Sequence, residues 1–129
     1  MMPFKSTCVV AEMFKRRARL LVASERPDGR AARVAELAAA AEFEDWIEVR
    51  PARAMGALTD DHLAWADLLV AVDTAAARAM PEHRPATCRP KYWRLPAETG
   101  AELDLQALEA LRCMVGGMRM LARVDAEGA

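Results

Sequence analysis

The stretch that decides the fold is "RLLVASERPDGRAARVAEL", residues 19–37. Its apolar start, Arg19 to Ala23, predicts a buried strand. At Ser24 the sequence becomes polar, and a proline, a glycine and arginines indicate a tight loop. An amphipathic pattern follows and predicts a helix. A loop that joins a strand to a helix N-terminus in this way is a common place to hold an anion.

The helix after the loop is predicted over residues 31–43. Apolar residues recur there at i, i+3, i+4 and i+7, as Val34, Leu37, Ala38 and Ala41. This spacing places them on one face of a helix, which we expect to pack against the sheet.

Strands and helices alternate along the rest of the chain. Short strands are predicted at 46–49, 67–72 and 90–96, and helices begin at Thr59, at Asp73-Thr74 and near Asp104. Thr59 can cap its helix, and the two aspartates that follow suit the positive end of the helix dipole. The order β-α-β-α-β-α-β-α predicts one α/β domain with a four-stranded, mostly parallel sheet and helices on both faces.

The predicted domain spans residues 18–124. Residues 1–17 precede it either as a lead-in helix from Ser6 or as a loose arm, and residues 125–129 form a short tail. No apolar run approaches the roughly 20 residues that span a bilayer, and the N-terminus lacks the order of a signal peptide.

Composition and charge exclude several classes of function. Eighteen basic and nineteen acidic side chains give a net charge of −1, so neither nucleic acid nor a membrane surface is predicted as a partner. The cysteines at 8, 88 and 113 are too far apart for a Cys-x-x-Cys site, and His62 and His83 have no partner at zinc-ligand spacing. We expect a cytoplasmic protein with free thiols, no metal and no cofactor.

Three further stretches carry a family resemblance: "ALTDDHLAWADLLVAVD" (57–73), "RPKYWRLP" (89–96) and "GMRMLAR" (117–123). In this order they resemble the low-molecular-weight protein tyrosine phosphatases and their arsenate reductase relatives. The resemblance runs over roughly residues 18–123. It implies a three-layer, flavodoxin-like sandwich of the phosphotyrosine phosphatase I type.

The defining motif of that family is Cys-x5-Arg after the first strand. Its loop directs backbone N–H groups and the arginine at a phosphate, and the cysteine attacks phosphorus as a thiolate. In this chain Arg30 matches the arginine and Ser24 falls at the cysteine. An alignment counted back from Glu36 puts Ala23 or Glu25 there instead. Every placement leaves the loop without a cysteine.

The general acid of the family is also missing. An aspartate, usually followed by proline, protonates the leaving oxygen in the family, whereas this chain has Leu95-Pro96 there. The nearest carboxylates, Glu98 and Asp104, lie further on. Two losses in separate chemical roles predict that the chain has no catalytic residues of the phosphatase kind.

The loop still offers candidates for binding a phosphate or sulfate-like anion, namely Ser24, Arg26, Gly29, Arg30 and Arg33. Glu25 and Asp28 oppose an anion, and Pro27 removes one N–H donor. The alternative is that Ser24 is an ordinary turn serine and that the arginines form a solvated loop face.

Three hypotheses of function follow. The first is a non-catalytic binding or regulatory module that takes a protein partner or an anion at the Ser24–Arg30 loop. The second is an active phosphatase or arsenate-reductase-like enzyme with atypical residues. The third is a structural or dimerising module, and a homodimer is therefore a possible assembly.

Overall fold

The computed structural model describes residues 16–128, with side chains through residue 125. Most of the predicted arm at 1–17 lies outside the described residues. Along the described chain the elements are β1 (Ala18–Ala23), α1 (Arg30–Ala38), α2 (Ala41–Glu44), β2 (Ile47–Pro51), a 3-10 helix (Met55–Ala57), α3 (Asp60–Trp65), β3 (Leu68–Ala71), α4 (Thr74–Arg78), β4 (Arg89–Tyr92) and α5 (Ala101–Gly128).

The four strands form one parallel sheet in the order β2-β1-β3-β4. This confirms the predicted class, a three-layer α/β sandwich of the flavodoxin-like kind. Successive residues of β1 enter different cores: Leu20 and Val22 pack on the face covered by α1 and α5, and Leu21 and Ala23 pack on the opposite face. Because both faces are covered, the apolar run of β1 is continuous and does not alternate with polar residues.

The strand β4 forms one edge of the sheet and is shorter than the predicted 90–96. The N–H groups of Arg89 and Trp93 donate to carbonyls of the β3 side at 3.0 and 2.8 Å. Since alternate N–H groups of a strand point the same way, Pro90 occupies an outward position. Proline has no N–H group, and at this position the missing group would have faced solvent, so the sheet loses no hydrogen bond. The missing donor also hinders pairing of this edge with another chain.

The prediction of one helix over 31–43 is wrong, because the chain divides it into α1 and α2. Ala40, with ψ 151, leaves the helical conformation between them. Phe43 follows Val34 by nine residues, so a continuous helix of 3.6 residues per turn would direct the two about 180° apart. The break returns Phe43 to the core, where it is 1% exposed, and leaves Ala41 exposed.

The predicted helix starts at Thr59 and Asp73 are confirmed by their hydrogen bonds. Thr59 Oγ1 accepts from the His62 N–H, and the Thr59 N–H donates to His62 Nδ1 at 2.9 Å, so the cap is reciprocal. Asp73 Oδ1 accepts from the Ala76 N–H at 2.8 Å.

The last helix begins three residues earlier than predicted. It starts at Ala101, after Gly100, and continues through Gly128, so residues 125–128 of the predicted tail are helical. No helix in the described part of the chain is long and apolar enough to cross a membrane.

Candidate functional site

The loop between β1 and α1 lies at the carboxyl end of β1, one of the two inner strands of the sheet. Ser24, the first residue after β1, is 1% exposed, and its carbonyl accepts from the Met55 N–H at 2.7 Å. Gly29 forms the N-cap of α1 with φ 87, in the left-handed region that other L residues enter at a cost. Arg30 then opens the helix, so its position is fixed by the turn at Gly29.

Arg30 is the polar centre of this site and is 5% exposed. Its Nε donates to Asp28 Oδ2 at 2.8 Å, and its Nη2 donates to Asp73 Oδ2 at 2.5 Å. Its Nη1 donates to the carbonyl of Pro96 at 3.2 Å. One guanidinium therefore joins the loop after β1, the end of β3 and the loop after β4.

The Asp28 carboxylate is held by the donors that an oxyanion would use. Its Oδ2 lies 2.8 Å from Nε and 2.7 Å from Nη2 of Arg30, a forked contact. Its Oδ1 accepts from the Arg30 backbone N–H at 3.1 Å and lies 3.3 Å from Ser24 Oγ. A helix N-terminal N–H and an arginine fork are common anion ligands, so Asp28 acts as a tethered internal anion.

The charges of this cluster hold one another in the ionised state. Partial burial raises the pKa of Asp28 by itself, but the hydrogen bonds and the charge of Arg30 outweigh it, so this pKa lies below its ordinary value. Asp73 has a lowered pKa for a similar reason: burial opposes ionisation, while the Ala76 N–H and Arg30 favour it. Burial by itself lowers the pKa of Arg30, but Asp28 and Asp73 raise it by more, so this pKa lies above its ordinary value.

Ser24 has no activated hydroxyl. Its Oγ donates to the carbonyl of Arg26, and a carboxylate close to it among the described residues, that of Asp28, is committed to Arg30. A serine nucleophile needs a base that takes its proton. Of the two histidines, His62 caps α3 and His83 is exposed in the segment before β4.

The two cysteines that the structure describes lie elsewhere in the fold. Cys88 is buried on the α3/α4 side of the sheet, where burial raises the pKa of its thiol. Cys113 is exposed on α5, and Cys8 lies outside the described residues.

The segment after β4 offers Arg30 a backbone carbonyl as a hydrogen-bond acceptor. That carbonyl is the one of Pro96. Of the carboxylates further on, Glu98 is exposed, and Asp104 forms two hydrogen bonds with Arg33 at 2.9 and 2.8 Å. The hydrogen bond to Arg33 lowers the pKa of Asp104.

The predicted anion ligands are only partly brought together. Ser24, Gly29 and Arg30 lie around the Asp28 carboxylate. Arg33 turns instead to Asp104 and Glu36, and the side chain of Arg26 is exposed.

Asp73 was not predicted from the sequence as a partner of Arg30, and Asp28 was predicted only to repel an anion. A signal for Asp73 existed. The carboxyl ends of neighbouring parallel strands meet at one edge, so an acid two residues after β3 lies near the end of β1.

Neither the comparison with protein-family models nor the comparison with curated proteins found a match to this chain. Within residues 16–128, no group of three or more histidine, cysteine or acidic side chains is arranged to hold a metal ion.

Proposed function

We propose that this chain is a non-catalytic binding module on a phosphatase-like fold, and that its loop after β1 accepts a phosphate or sulfate-like oxyanion in exchange for Asp28. The observation that carries the proposal is the Asp28 carboxylate in the fork of Arg30, against a helix N-terminal N–H. An external oxyanion would take over these same donors. A protein partner that carries such an oxyanion group would bind through the same donors.

The chemistry of the loop supports binding over catalysis. The loop has no thiol, Ser24 donates its proton to a carbonyl, and the segment after β4 supplies a carbonyl to Arg30. The active-enzyme hypothesis needs a nucleophile with a base and an acid for the leaving group. Among the described side chains around Arg30, none serves as the base of a nucleophile or as the acid for a leaving group.

The tethered carboxylate sets the expected strength of binding. Hydrogen bonds to charged groups contribute about 1.5–3 kcal/mol each, and Asp28 must give up such bonds before an anion enters. Removing this carboxylate should therefore strengthen phosphate binding by about tenfold or more, since 1.4 kcal/mol corresponds to tenfold in Kd.

The test is thermal unfolding of the wild type and of Asp28→Ala in rising inorganic phosphate, with chloride matched for ionic strength. At a hundredfold excess over Kd, a bound anion stabilises the folded state by about 2.7 kcal/mol. Phosphate should raise the Tm of Asp28→Ala at lower concentrations than that of the wild type. Glu25→Ala is the matched control, because it removes the same charge from an exposed position of the same loop.

Two results would reject the proposal. If phosphate affects Asp28→Ala no more than Glu25→Ala, the loop is not an oxyanion site. If the wild type hydrolyses an aryl phosphate and Ser24→Ala abolishes the hydrolysis, the chain is an enzyme. Amide NMR shifts of Gly29 and Arg30 on phosphate addition locate the binding without depending on a variant.

A further inference from the structure

The outer face of α5 carries an apolar seam that the rest of the described chain leaves uncovered. Cys113, Gly117, Met120 and Val124 follow one another at intervals of four, three and four residues, and all are exposed. Met120 is 64% and Val124 57% exposed. Intervals of three and four residues are those of a helix that packs along another helix.

This seam lies opposite the face of α5 that packs on the domain. Met120 follows the buried Leu111 by nine residues, and Val124 follows the buried Val115 by nine, which is about 180° around a helix. Among the described residues, the packing of α5 against the core ends at Met118. The helix then continues to Gly128.

One glycine, Gly117, lies in the seam, and a second, Gly116, lies beside it. A Cβ added at Gly116 or Gly117 would meet nothing within 4 Å, so no neighbour in the described chain requires a small residue there. Glycine in a helix interior lowers helix stability, and its absent side chain allows a second helix to approach closely.

The charges beside the seam indicate what covers it. Glu109 and Arg123 are both exposed, and they lie seven residues before and seven residues after Gly116. If two copies of α5 cross antiparallel at Gly116, Glu109 of each copy lies opposite Arg123 of the other. A parallel crossing would place like charges opposite each other, which is unfavourable.

A groove beside α5 lies where the end of a second helix would run in this crossing. It has a volume of about 860 Å³ and lies between the segment from Tyr92 to Leu95 and the first turns of α5, including Leu105, Gln106 and Cys113. In the antiparallel crossing, the residues of one helix after Met120 run along the other helix toward Leu105. The exposed Leu121 and Val124 then cover this groove.

We propose that the chain forms a twofold-symmetric dimer through antiparallel contact of its α5 helices, centred on Gly116, with Glu109 paired to Arg123 of the second copy. This interface uses residues other than those of the anion site, so each proposal stands or fails separately. The contact is isologous, as expected of a homodimer.

Sedimentation equilibrium of the full chain over a wide concentration range tests the dimer. Glu109→Arg and Arg123→Glu should each weaken dimerisation by about tenfold, and the double reversal should restore it, because the charges are exchanged across the interface. Glu82→Arg is the control, since it makes the same charge change at an exposed residue outside α5. Circular dichroism verifies that every variant is folded.

A cross-link gives a second test at the proposed axis. Gly116→Cys in a chain with Cys8→Ser and Cys113→Ser should form a disulfide-linked dimer under mild oxidation, because residue 116 lies opposite itself. A chain that stays monomeric at all concentrations overturns the proposal. A double-reversal variant that dimerises as weakly as the two single variants also overturns the proposal.

Discussion

At the scale of single residues, Arg30 decides how the predicted site is arranged. A buried guanidinium is tolerated when its charge and its N–H groups are matched, and Asp28, Asp73 and Pro96 supply those acceptors. Within the described residues, no buried side-chain N or O atom is left without a hydrogen-bond partner. Arg30 therefore joins three segments of the domain.

Replacement of Arg30 tests this structural role. Arg30→Gln should lower the free energy of unfolding by about 3 kcal/mol, because breaking a buried ion pair leaves charges without a partner. Urea unfolding measures the change. Arg26→Gln, at an exposed position of the same loop, should stay within about 0.5 kcal/mol of the wild type. Equal midpoints for the two variants would contradict the structural role of Arg30.

At the scale of elements, two helix starts are predicted by local capping signals, at Thr59 and at Asp73. Thr59 and Asp73 cap their helices through bonds to residues three positions on, and such short-range geometry is readable from sequence. The interruption at Ala40 has no comparable local signal. It is imposed by Phe43, which must enter a core formed by residues distant in sequence.

The cap of α3 gives a prediction at this scale. Thr59→Ala should destabilise the protein by about 1 kcal/mol, because the His62 N–H loses its acceptor. Thr59→Ser keeps the hydroxyl and should retain most of the stability. Thermal or urea unfolding of the two variants provides the comparison, and an equal loss in both would show that the methyl group of Thr59 matters and the cap does not.

At the scale of the whole molecule, ion pairs join segments on one side of the sheet. Arg30 connects the loop after β1 to the end of β3, and Arg33 connects α1 to α5 through Asp104. The pKa values of Asp28, Asp73 and Asp104 all lie below the ordinary 3.8. A carboxylate with a lowered folded-state pKa adds stability above its unfolded pKa and loses it as the pH falls through the folded value.

Acid unfolding should therefore depend on these aspartates. The wild type should lose stability as the pH falls below about 3.8, and Asp28→Asn should lose less over the same range because it lacks one titrating group. At neutral pH that variant should be the less stable of the two, so the two Tm curves converge in acid. Glu98→Gln, at an exposed residue, should follow the wild type. Parallel curves for Asp28→Asn and the wild type would contradict the prediction.

The sequence determined the class of fold because periodicity and capping are local properties. The continuous apolar run of β1, the helix pattern around Val34 and the caps at Thr59 and Asp73 were sufficient to predict strands alternating with helices. That alternation fixes a parallel sheet with both faces covered.

Only the tertiary structure decided the state of the loop after β1. Charges adjacent in sequence predict attraction or repulsion of an anion, but they do not tell whether the carboxylate of Asp28 turns outward or into the fork of Arg30. The turn at Gly29, the packing of α1 and the meeting of strand ends at Asp73 settle that choice. The reason is physical: periodicity and caps depend on residues a few positions apart, whereas the partners of a buried charge come from wherever the packed chain brings them.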